Sequence, residues 1–495
     1  MQSIVVVTRE GDWPLELDGI RLVTAREYLT SREFSELRQA KVYNLCRHYR
    51  YQAFGYYVSL LAEARGHKPL PTVLTMQDLR SPALVRIASY ELEDQLHKSL
   101  AAVTEQRFVL HVYFGRCPDR RFERLSGALF RLFTAPFLRA SFVHGERWEL
   151  HHVSAIPTSA VPAEDKAFAL ESAQSFFTRP PRTSRPPRPS RFDLAILYDP
   201  SDPVKPSDPR AIEKFVAAAE ALDIEAEVIG REDAGRLLEF DALFIRSTTS
   251  VNHFTYRFAR RAEAEGLVVI DDPLSILRCT NKVYLAELMS RHGVPTPRTV
   301  IVHREDRGRL AELGLPCVVK QPDSSSSLGV FKAETREELE GRLDQLFEIS
   351  DLVIGQEFVP TAFDWRIGVL DRRPLCAVRY YMAPQHWQVI RHDSSSVRGR
   401  YGRWDVVPVD EVPAAGLAVA VKAAGLIGDG LYGVDLKQLG DRWVLIEVND
   451  NPNVETTVED GVAKDGLYLE VMRSFVRRLE AVTERRTGRE PRQTP

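Results

Sequence analysis

Residues 443–449, WVLIEVN, carry apolar side chains that alternate with polar ones from Ile446 onward. Successive side chains of a β-strand point to opposite faces, so this pattern predicts a strand with one apolar and one mixed face. The mixed face carries Glu447 and Asn449 side by side, with Leu445 before them. A carboxylate and an amide at positions i and i+2 can act on one ligand. The apolar face comprises Val444, Ile446 and Val448.

A second strand, predicted over 431–436, carries Asp435 and precedes the turn signal LGD. The two strands are therefore expected to form a hairpin. A three-residue loop over 440–442 sets Asp435 opposite Glu447, whereas a two-residue loop sets Asp435 opposite Ile446, on the wrong face. Cross-strand neighbours on one face lie about 4.5–5.5 Å apart at Cβ. We expect the longer turn, which brings the three polar side chains together.

Oxygen donors that converge in this way suit Mg²⁺, or Mn²⁺ in its place, because such cations favour carboxylates together with nucleotide phosphates. The alternative is a polar strand face that only meets water, and a D-x11-E-x-N spacing does not by itself decide between the two. The sequence predicts a metal site formed by Asp435, Glu447 and Asn449.

A phosphate-binding segment is predicted upstream. Residues 316–321, PCVVKQ, form a strand with Lys320 near its end, and the serine-rich segment DSSSSLGV follows. Small residues let successive backbone N–H groups point at an anion, and serine hydroxyls add donors. A plain loop is the alternative. The Walker A pattern GxxxxGK[ST] is absent from the sequence.

Two further elements complete the pattern. The predicted strand 352–359, LVIGQEFV, ends in polar groups that could bond an adenine edge, with Phe358 near its ring; an ordinary strand end is the alternative. Lys282 opens a predicted helix over 283–292, with Asn281 or Thr280 as the N-cap. A lysine there opposes the helix dipole, which is tolerable if it faces a phosphate.

In this order, the segments resemble the ATP-grasp superfamily, specifically its RimK-like branch. The resemblance lies in TNKVYLAELMSRHGVPTPRT, PCVVKQPDSSSSLGV, VIGQEFV, DWRIGV, GVDLKQL and VLIEVNDNPNVE. It implies an α/β protein, α+β in the grasp part. An N-terminal α/β domain, 1–177, resembles the extension found on a subset of RimK-like proteins. A pre-ATP-grasp parallel-sheet domain, 192–271, and an ATP-grasp domain, 273–479, follow.

The resemblance also implies roles for individual residues. Lysines contact the phosphates, residues 356–358 line the adenine pocket and Asp364 lies near the ribose. Arg366 and Arg379 are implied to be catalytic, because they stabilise the transferring phosphoryl group and the acyl phosphate, while the Asp/Glu/Asn trio holds the metal. The nucleotide contacts are Lys282, Lys320, Ser325, Ser326, Gly329, Gln356, Glu357, Phe358 and Asp364.

Three other segments leave alternatives open. Residues 178–191, TRPPRTSRPPRPSR, predict a semi-rigid linker or an arginine-rich arm for an acidic partner. Residues 484–495 predict a disordered tail. Residues 42–71 are dense in Tyr and Arg, which can stack and bind anions or fill ordinary amphipathic packing. Arg246, at the end of a predicted strand, grips the substrate carboxylate or is a surface residue.

The composition limits the classes of partner. A formal net charge of −3 gives no reason to expect nucleic acid or an anionic membrane. No run of 18 apolar residues is present, so no membrane span is expected. Five widely spaced cysteines indicate reduced thiols in a cytoplasmic protein. The oligomeric state, a homo-oligomer included, is left open.

The resulting prediction is an ATP-dependent carboxylate–amine ligase that acts through an acyl phosphate, with an amino acid or peptide among its small-molecule substrates. The alternative is an ATP-binding regulatory or scaffold module without ligase turnover, in which the N-terminal region and linker recruit a partner. A third hypothesis is a phosphotransferase that stops before amine attack. Only the ligase yields an amide product.

Overall fold

The structure is a computed structural model that describes residues 2–13, 19–37, 40–81, 85–86, 88–89, 92–177, 190–323, 329–384, 386–390 and 402–487. The chain divides into two compact units. The first comprises Met1–Pro186 with Glu232–Glu239, and the second comprises Pro187–Arg231 with Phe240–Pro495.

The first unit contains two sheets. Its strands are β1 (Gln2–Val7), β2 (Ile20–Thr24), β3 (Ala40–Asn44), β4 (Lys68–Leu70), β5 (Arg107–Tyr113), β6 (Phe137–His144) and β7 (Trp148–Ala155). Its α-helices are α1 (Ala25–Thr30), α2 (Arg32–Glu36), α3 (Phe54–Ala64), α4 (Val73–Asp78), α5 (Glu93–Leu100), α6 (Glu123–Leu132) and α7 (Lys166–Phe177). Apolar patterning in the sequence predicts strands at 4–8 and 108–114 and a helix at 54–65, and the structure confirms all three to within two residues.

The first sheet of this unit is parallel, in the order β2-β1-β3-β4. Its central strand β1 is apolar throughout its second half because both faces are covered, as is usual for parallel sheets. Ile4 and Val6 enter one core, and Val5 and Val7 enter another. Strands β5, β6 and β7 form a separate antiparallel sheet, against which α6 packs.

The second unit begins with a parallel sheet in the order β11-β10-β8-β9. Its elements are β8 (Phe192–Leu197), α8 (Pro209–Glu220), β9 (Ile224–Ile229), β10 (Ala242–Ile245), α9 (Phe254–Ala264) and β11 (Val268–Ile270). The sequence predicts strands at 193–197, 226–229, 242–245 and 267–270 and helices at 209–222 and 255–265, an alternation that is typical of a parallel sheet. Each element lies within two residues of these bounds.

Two antiparallel sheets follow, in the orders β12-β15-β13-β14 and β18-β17-β16-β19-β20. Their strands are β12 (Thr299–Val302), β13 (Cys317–Lys320), β14 (Val330–Ala333), β15 (Val353–Glu357), β16 (Phe363–Leu370), β17 (Arg373–Tyr381), β18 (Trp404–Val407), β19 (Leu431–Leu439) and β20 (Arg442–Asp450). The helices are α10 (Pro273–Thr280), α11 (Lys282–Arg291), α12 (Arg336–Phe347), α13 (Ala414–Ile427) and α14 (Asp465–Thr487).

Helix α14 returns the end of the chain to the parallel sheet of the second unit. Leu467, Val471 and Phe475 share one core with residues of β8, β10 and α8. The helix continues to Thr487, four residues into the stretch for which the sequence predicts a tail. Most of the predicted linker, residues 178–189, lies outside the described residues.

Candidate active site

The hairpin of β19 and β20 carries the polar trio, but by a different turn from the one predicted. Leu439 pairs with Arg442, so the turn has two residues, and Gly440 adopts the left-handed conformation that it requires (φ 62°). The expected three-residue loop is therefore wrong. Asp435 nevertheless lies opposite Glu447, because the ladder shifts by one residue between Asp435 and Leu436.

This shift is a β-bulge in which Ile446 is the extra residue. The extra residue also exchanges the two faces of the strand at this point. The predicted faces of Val444 and Leu445, before the bulge, are therefore wrong, whereas those of Glu447, Val448 and Asn449, after it, are correct. Trp443, Leu445 and Val448 all enter the same core. In a strand without a bulge, Leu445 and Val448 would lie on different faces. Glu447 and Asn449 remain on the face away from that core, with Asp435.

Asp435 is held by a guanidinium on the neighbouring strand β16. Arg366 Nε donates to Asp435 Oδ1 at 2.7 Å and Nη2 donates to Oδ2 at 2.8 Å. Asn449 Nδ2 donates to Asp435 Oδ2 at 3.1 Å, so two members of the predicted trio touch. Burial raises the pKa of Asp435 above its ordinary value although Arg366 opposes this effect. One guanidinium thus leaves part of the cost of this buried charge uncompensated.

Glu447 faces the lysines that were predicted to bind phosphates. Lys282 Nζ lies 2.8 Å from Glu447 Oε1, and Lys282 is nearly buried. Burial opposes ionisation of Glu447 most strongly, yet the positive charges of Lys282 and Lys320 lower its pKa below the ordinary value. Burial lowers the pKa of Lys320 to about 8, against the attraction of Glu447. The trio and both lysines therefore occupy one region.

Backbone contacts fix the two lysines. Asn281 is the N-cap of α11 and accepts the N–H of Tyr284 at 2.9 Å, which confirms one of the two predicted caps. Its side chain also donates to Asp323 Oδ1 at 2.7 Å, and the N–H of Lys282 donates to the carbonyl of Pro322 at 2.9 Å. The start of α11 is thus tied to the segment that leaves β13 directly after Lys320.

Only the two ends of the serine-rich segment, Asp323 and Gly329-Val330, lie among the described residues. Gly329 has a φ of 68°, and its carbonyl accepts the N–H of Gln321 at 2.9 Å, which closes the base of the loop. Ser325 and Ser326 lie outside the described residues, so their predicted contacts with phosphate stay predictions.

The sheet of β12 to β15 presents a polar face opposite its core. Register puts Lys320, Gln356 and Lys332 on this face, while Val319 and Val353 enter the core on the other. Gln356 Nε2 donates to Thr299 Oγ1 at 3.0 Å. Phe358 follows the end of β15, and Lys332 Nζ lies 4.4 Å from the centre of its ring. These groups form a wall next to Lys320 that suits a flat base.

Two predicted residues point away from this site. Glu357 pairs with Cys317, a core residue, and its carboxylate bonds Arg298 Nε at 2.8 Å, so its side chain does not line the polar face. Arg379 pairs with the buried Trp365 and lies over its ring at 4.6 Å. The expected contact of Arg379 with the phosphoryl group is contradicted, because it lies on the opposite face of the sheet from Arg366.

The structure adds side chains that the sequence reasoning missed. Lys437 is nearly buried and lies 2.6 Å from Asp364 Oδ1, on the face that carries Asp435. Lys437 lies two positions after Asp435 on one strand, so strand alternation could have predicted that both side chains share a face. Tyr380 stacks on Arg366, with the guanidinium carbon 5.4 Å from the ring centre, and its hydroxyl donates to the buried Glu459. Tyr380 could be found only from the pairing of β16 with β17, which the sequence does not reveal.

Arg246 is neither on the surface nor available to a substrate. It is fully buried, and its guanidinium donates to Ser207 Oγ, to Asn451 Oδ1 at 2.9 Å and to the carbonyls of Pro206 and Pro452, both at 2.8 Å. Burial lowers the pKa of Arg246 to about 10. Both earlier interpretations are wrong, since this residue links two loops of the second unit.

Comparisons with known proteins follow the same division of the chain. A RimK-like ATP-grasp domain model matches residues 279–465, and a RimK-like ATPgrasp N-terminal domain model matches residues 25–172. A probable alpha-L-glutamate ligase of Thioalkalivibrio sulfidiphilus is 30% identical over 224 residues, covering 44% of this chain and 71% of that protein. The chain belongs to the RimK-like ATP-grasp family. It is an ATP-dependent ligase that joins a carboxylate to an amine.

Further proteins are also similar to this chain. A probable alpha-L-glutamate ligase 2 of a Shewanella species is 27% identical over 262 residues, covering 52% of this chain and 82% of that protein. Among solved structures, D-alanine–D-alanine ligase from Bacillus anthracis shares 14% identity with a TM-score of 0.46, covering 59% of this chain and 99% of its own. A RimK domain ATP-grasp protein from Sphaerobacter thermophilus shares 18% identity with a TM-score of 0.43, covering 56% and 98%.

Two features of the described residues concern metal ions and membranes. No cluster of three or more His, Cys, Asp or Glu side chains in these parts of the chain is arranged to hold a metal ion. A metal at the hairpin would depend on the amide of Asn449 beside two carboxylates. Among the helices that can be described, none combines the length and apolar character needed to cross a membrane.

Proposed function

We propose that this RimK-like ligase uses Mg²⁺-ATP to phosphorylate a substrate carboxylate and then couples the acyl phosphate to an amine, with an amino acid or a short peptide among its substrates. One observation carries the proposal: Asp435, Glu447 and Asn449 share a face of one hairpin and lie beside Arg366 and Lys282. The names of the relatives make glutamate the first substrate to test.

The charge of the site suits a polyphosphate. Lys282 and Lys320 are nearly buried, and Glu447 is the carboxylate whose charge acts on both. Two buried positive charges beside one carboxylate are costly unless an anion accompanies them. The other cations of these faces have carboxylate partners: Lys332 lies beside Glu334, Arg366 binds Asp435, and Lys437 lies 2.6 Å from Asp364.

The hairpin also fits a divalent cation. Asp435 and Glu447 offer hard oxygens in cross-strand register, and Asn449 adds an amide. Burial raises the pKa of Asp435, and a bound cation would favour its ionised form. When bound, Mg²⁺ would neutralise charge on the phosphates. These three residues would hold it.

The side chains of the chain support phosphoryl transfer by position and charge. A carboxylate oxygen attacks the γ-phosphorus of ATP, and the bond between that phosphorus and the bridging oxygen breaks to leave ADP. Lys282 and Lys320 bind phosphate oxygens. Arg366 uses Nε and Nη2 for Asp435, which leaves Nη1 to bind an oxygen of the transferred group. Preorganised cations of this kind stabilise charge as it develops.

The second step forms the amide. The amine nitrogen attacks the carbonyl carbon of the acyl phosphate, a tetrahedral intermediate forms, and inorganic phosphate leaves with the electrons of the C–O bond while the nitrogen loses a proton. Exclusion of water during these steps protects the acyl phosphate from hydrolysis. The face of Gln356 and Lys332, with Phe358 at its edge, would hold the adenine.

A product screen tests this function directly. Purified protein with Mg²⁺-ATP, glutamate or other amino acids and short peptides should release ADP and yield an amide that mass spectrometry detects as the two substrates minus one water. Asp435→Ala and Glu447→Ala should lose this turnover, whereas Asp429→Ala, an exposed carboxylate in the same unit, should retain it. ADP release without an amide of the two substrates would contradict ligation, even if hydroxylamine traps an acyl phosphate as its hydroxamate.

The cellular location is a separate part of the proposal. All five cysteines are unpaired, and four of them are buried. Free thiols are typical of a reducing compartment, which supports a cytoplasmic location. Cell fractionation tests it, and recovery of the protein outside the cytoplasm would contradict it.

A further inference from the structure

The parallel sheet of the first unit has a point at which the order of its strands reverses. The chain passes from β1 to β2 on one side and then to β3 on the other, so β1 and β3 are neighbours that leave the sheet in opposite directions. In open parallel sheets, small ligands bind in the crevice outside the carboxyl ends of two such strands. Thr8 directly follows β1 at this edge, and the segment from Leu45 to Ala53 follows β3.

A cavity of about 270 Å³ lies at this edge. It combines two aromatic rings with a hydroxyl, an imidazole and a carboxamide, which is the composition of small-molecule sites: mostly apolar walls with a few convergent polar groups. Its volume is slightly below the range of about 300–1,000 Å³ for drug-sized ligands. The lining residues are Thr8, His48, Gln52, Ala53, Phe54 and Tyr57.

One end of the cavity favours an anion. Helix α3 starts here with Ala53 as its N-cap, without a side-chain hydrogen bond to the cap and without an acidic residue in the first turn. The first N–H groups of a helix lack partners within it, and its dipole attracts negative charge. No carboxylate lines the cavity among the described residues. The nearby Asp12 is taken up by Arg47, which it binds through both oxygens.

The other side is an exposed aromatic wall. Phe54 is 52% exposed and Tyr57 is 38% exposed, although helix α3 has a buried face that could have taken large side chains. The ring of Tyr57 contacts Tyr56, whose ring contacts Tyr51, with centres 5.5 and 5.1 Å apart. Grouped aromatic rings left in water mark a binding surface more often than isolated ones do.

The helix start is also rigid. A Cβ added at Gly55 would lie 2.5 Å from the carbonyl oxygen of His48, so the absence of a side chain lets α3 pack directly on the loop that forms the cavity. Asn44, at the end of β3, donates to the carbonyl of Gly55 at 2.7 Å and to Ser59 Oγ at 3.0 Å, and all three residues are buried. The cavity wall is therefore preformed.

We propose that this cavity is a second small-molecule site, which binds an anionic oxygen group, carboxylate or phosphate, attached to a flat ring. The anion lies at the start of α3, and the ring lies against Phe54 and Tyr57. His48 and Gln52 set its orientation. This site belongs to the first unit, and the inference does not depend on the proposed ligase chemistry.

Isothermal titration calorimetry of the full chain with phenyl phosphate tests the proposal, with benzoate to compare the two anionic groups and with phenol and inorganic phosphate as the separate halves. We expect saturable binding of phenyl phosphate or benzoate that is at least about tenfold tighter than either half alone. Phe54→Ala and Tyr57→Ala should each weaken it at least about fivefold, because a ring contact is lost.

Two control variants locate the binding. Val109→Ala removes an exposed apolar side chain on β5, outside the cavity, and should leave the affinity unchanged. Lys320→Met alters the nucleotide site and should also leave it unchanged. The proposal is overturned if no saturable binding occurs, if Lys320→Met abolishes it, or if Phe54→Ala and Tyr57→Ala both bind like the unaltered chain.

Discussion

Two arginines on adjacent strands of the second unit differ in the face that they occupy. Arg366 shares a face with Asp435 and binds it through two hydrogen bonds, whereas Arg379 lies over Trp365 on the core face. Arg379 Nε is buried without a hydrogen-bond partner among the described residues, while its guanidinium lies over the rings of Trp365 and Phe363. At the scale of single residues, the face of the sheet decides which arginine can act on phosphate.

Substitution of each arginine by lysine separates the two roles. Arg366→Lys loses the bidentate geometry and should lower ADP formation about 100-fold, the usual loss for one stabilising donor. Arg379→Lys should leave turnover nearly unchanged and cost about 1 kcal/mol of folding free energy, because its stacking is lost. Steady-state kinetics and urea unfolding measure both effects. Equal losses of activity would show that the face assignment is wrong.

The lowered pKa of Lys320 predicts that the KM for ATP depends on pH. Burial lowers its pKa to about 8, so its charged form, which binds phosphate, is lost as the pH rises through 8. The KM for ATP should rise by up to about tenfold between pH 7 and pH 9. Lys320→Arg stays charged over this range, so its KM should not vary with pH. A flat profile in the unaltered enzyme, or the same slope in Lys320→Arg, would contradict the assignment.

At the scale of elements, the bulge in β20 decides whether the trio converges. The turn of β19 and β20 is one residue shorter than a regular ladder needs, and Ile446 supplies the compensating residue. A regular two-residue hairpin would place Asp435 opposite Ile446. The pairing of Asp435 with Glu447 is therefore a property of the turn and the bulge together.

Two deletions test this register. Removal of Ile446 turns the bulge into a regular ladder and keeps Asp435 opposite Glu447, so Mg²⁺-dependent ADP formation should persist. Removal of Leu436, which is also apolar, turns Asp435 toward the core and should abolish it, because a one-residue slip exchanges the faces of a strand. Circular dichroism shows whether each variant folds. Activity in the second and not in the first would contradict this register.

The positions of strands and helices could be predicted from the sequence, but their register could not. Where the sequence predicted an element, apolar periodicity placed most of these elements within two residues, because periodicity reflects burial, a local property. The bulge at Ile446 has no sequence signal. The turn between β16 and β17 is Asp371-Arg372, and both residues have positive φ. Glycine or asparagine at these positions would have made the turn predictable from the sequence. Without that signal, Arg379 could not be assigned to the core face.

At the scale of the second unit, its parallel sheet and its grasp sheets are joined by buried polar contacts. Arg246, at the end of β10, bonds the loop at Pro206 and the turn at Asn451, which lies 205 positions away in the chain. The buried Asp271 accepts the N–H groups of Leu431 and Asn451 at 2.8 and 2.6 Å. Contacts between such distant residues leave no local pattern, so the sequence could not predict this role for Arg246.

Loss of Arg246 should destabilise this unit. Arg246→Met leaves two carbonyls, a hydroxyl and an amide oxygen buried without their donor, and should lower the free energy of unfolding by about 3 kcal/mol or more. Arg210→Met removes an exposed arginine of α8 and should have little effect. Urea unfolding followed by near-ultraviolet circular dichroism compares the two. Coincident transitions would mean that Arg246 does not stabilise the junction.

The metal and nucleotide site itself is tested most directly by electron paramagnetic resonance of Mn²⁺, titrated into the protein with and without ADP. We predict that bound Mn²⁺ appears with ADP, that Asp435→Asn and Glu447→Gln each abolish it, and that Asp429→Asn retains it. Nucleotide-dependent Mn²⁺ binding that survives both substitutions at the hairpin would contradict the site.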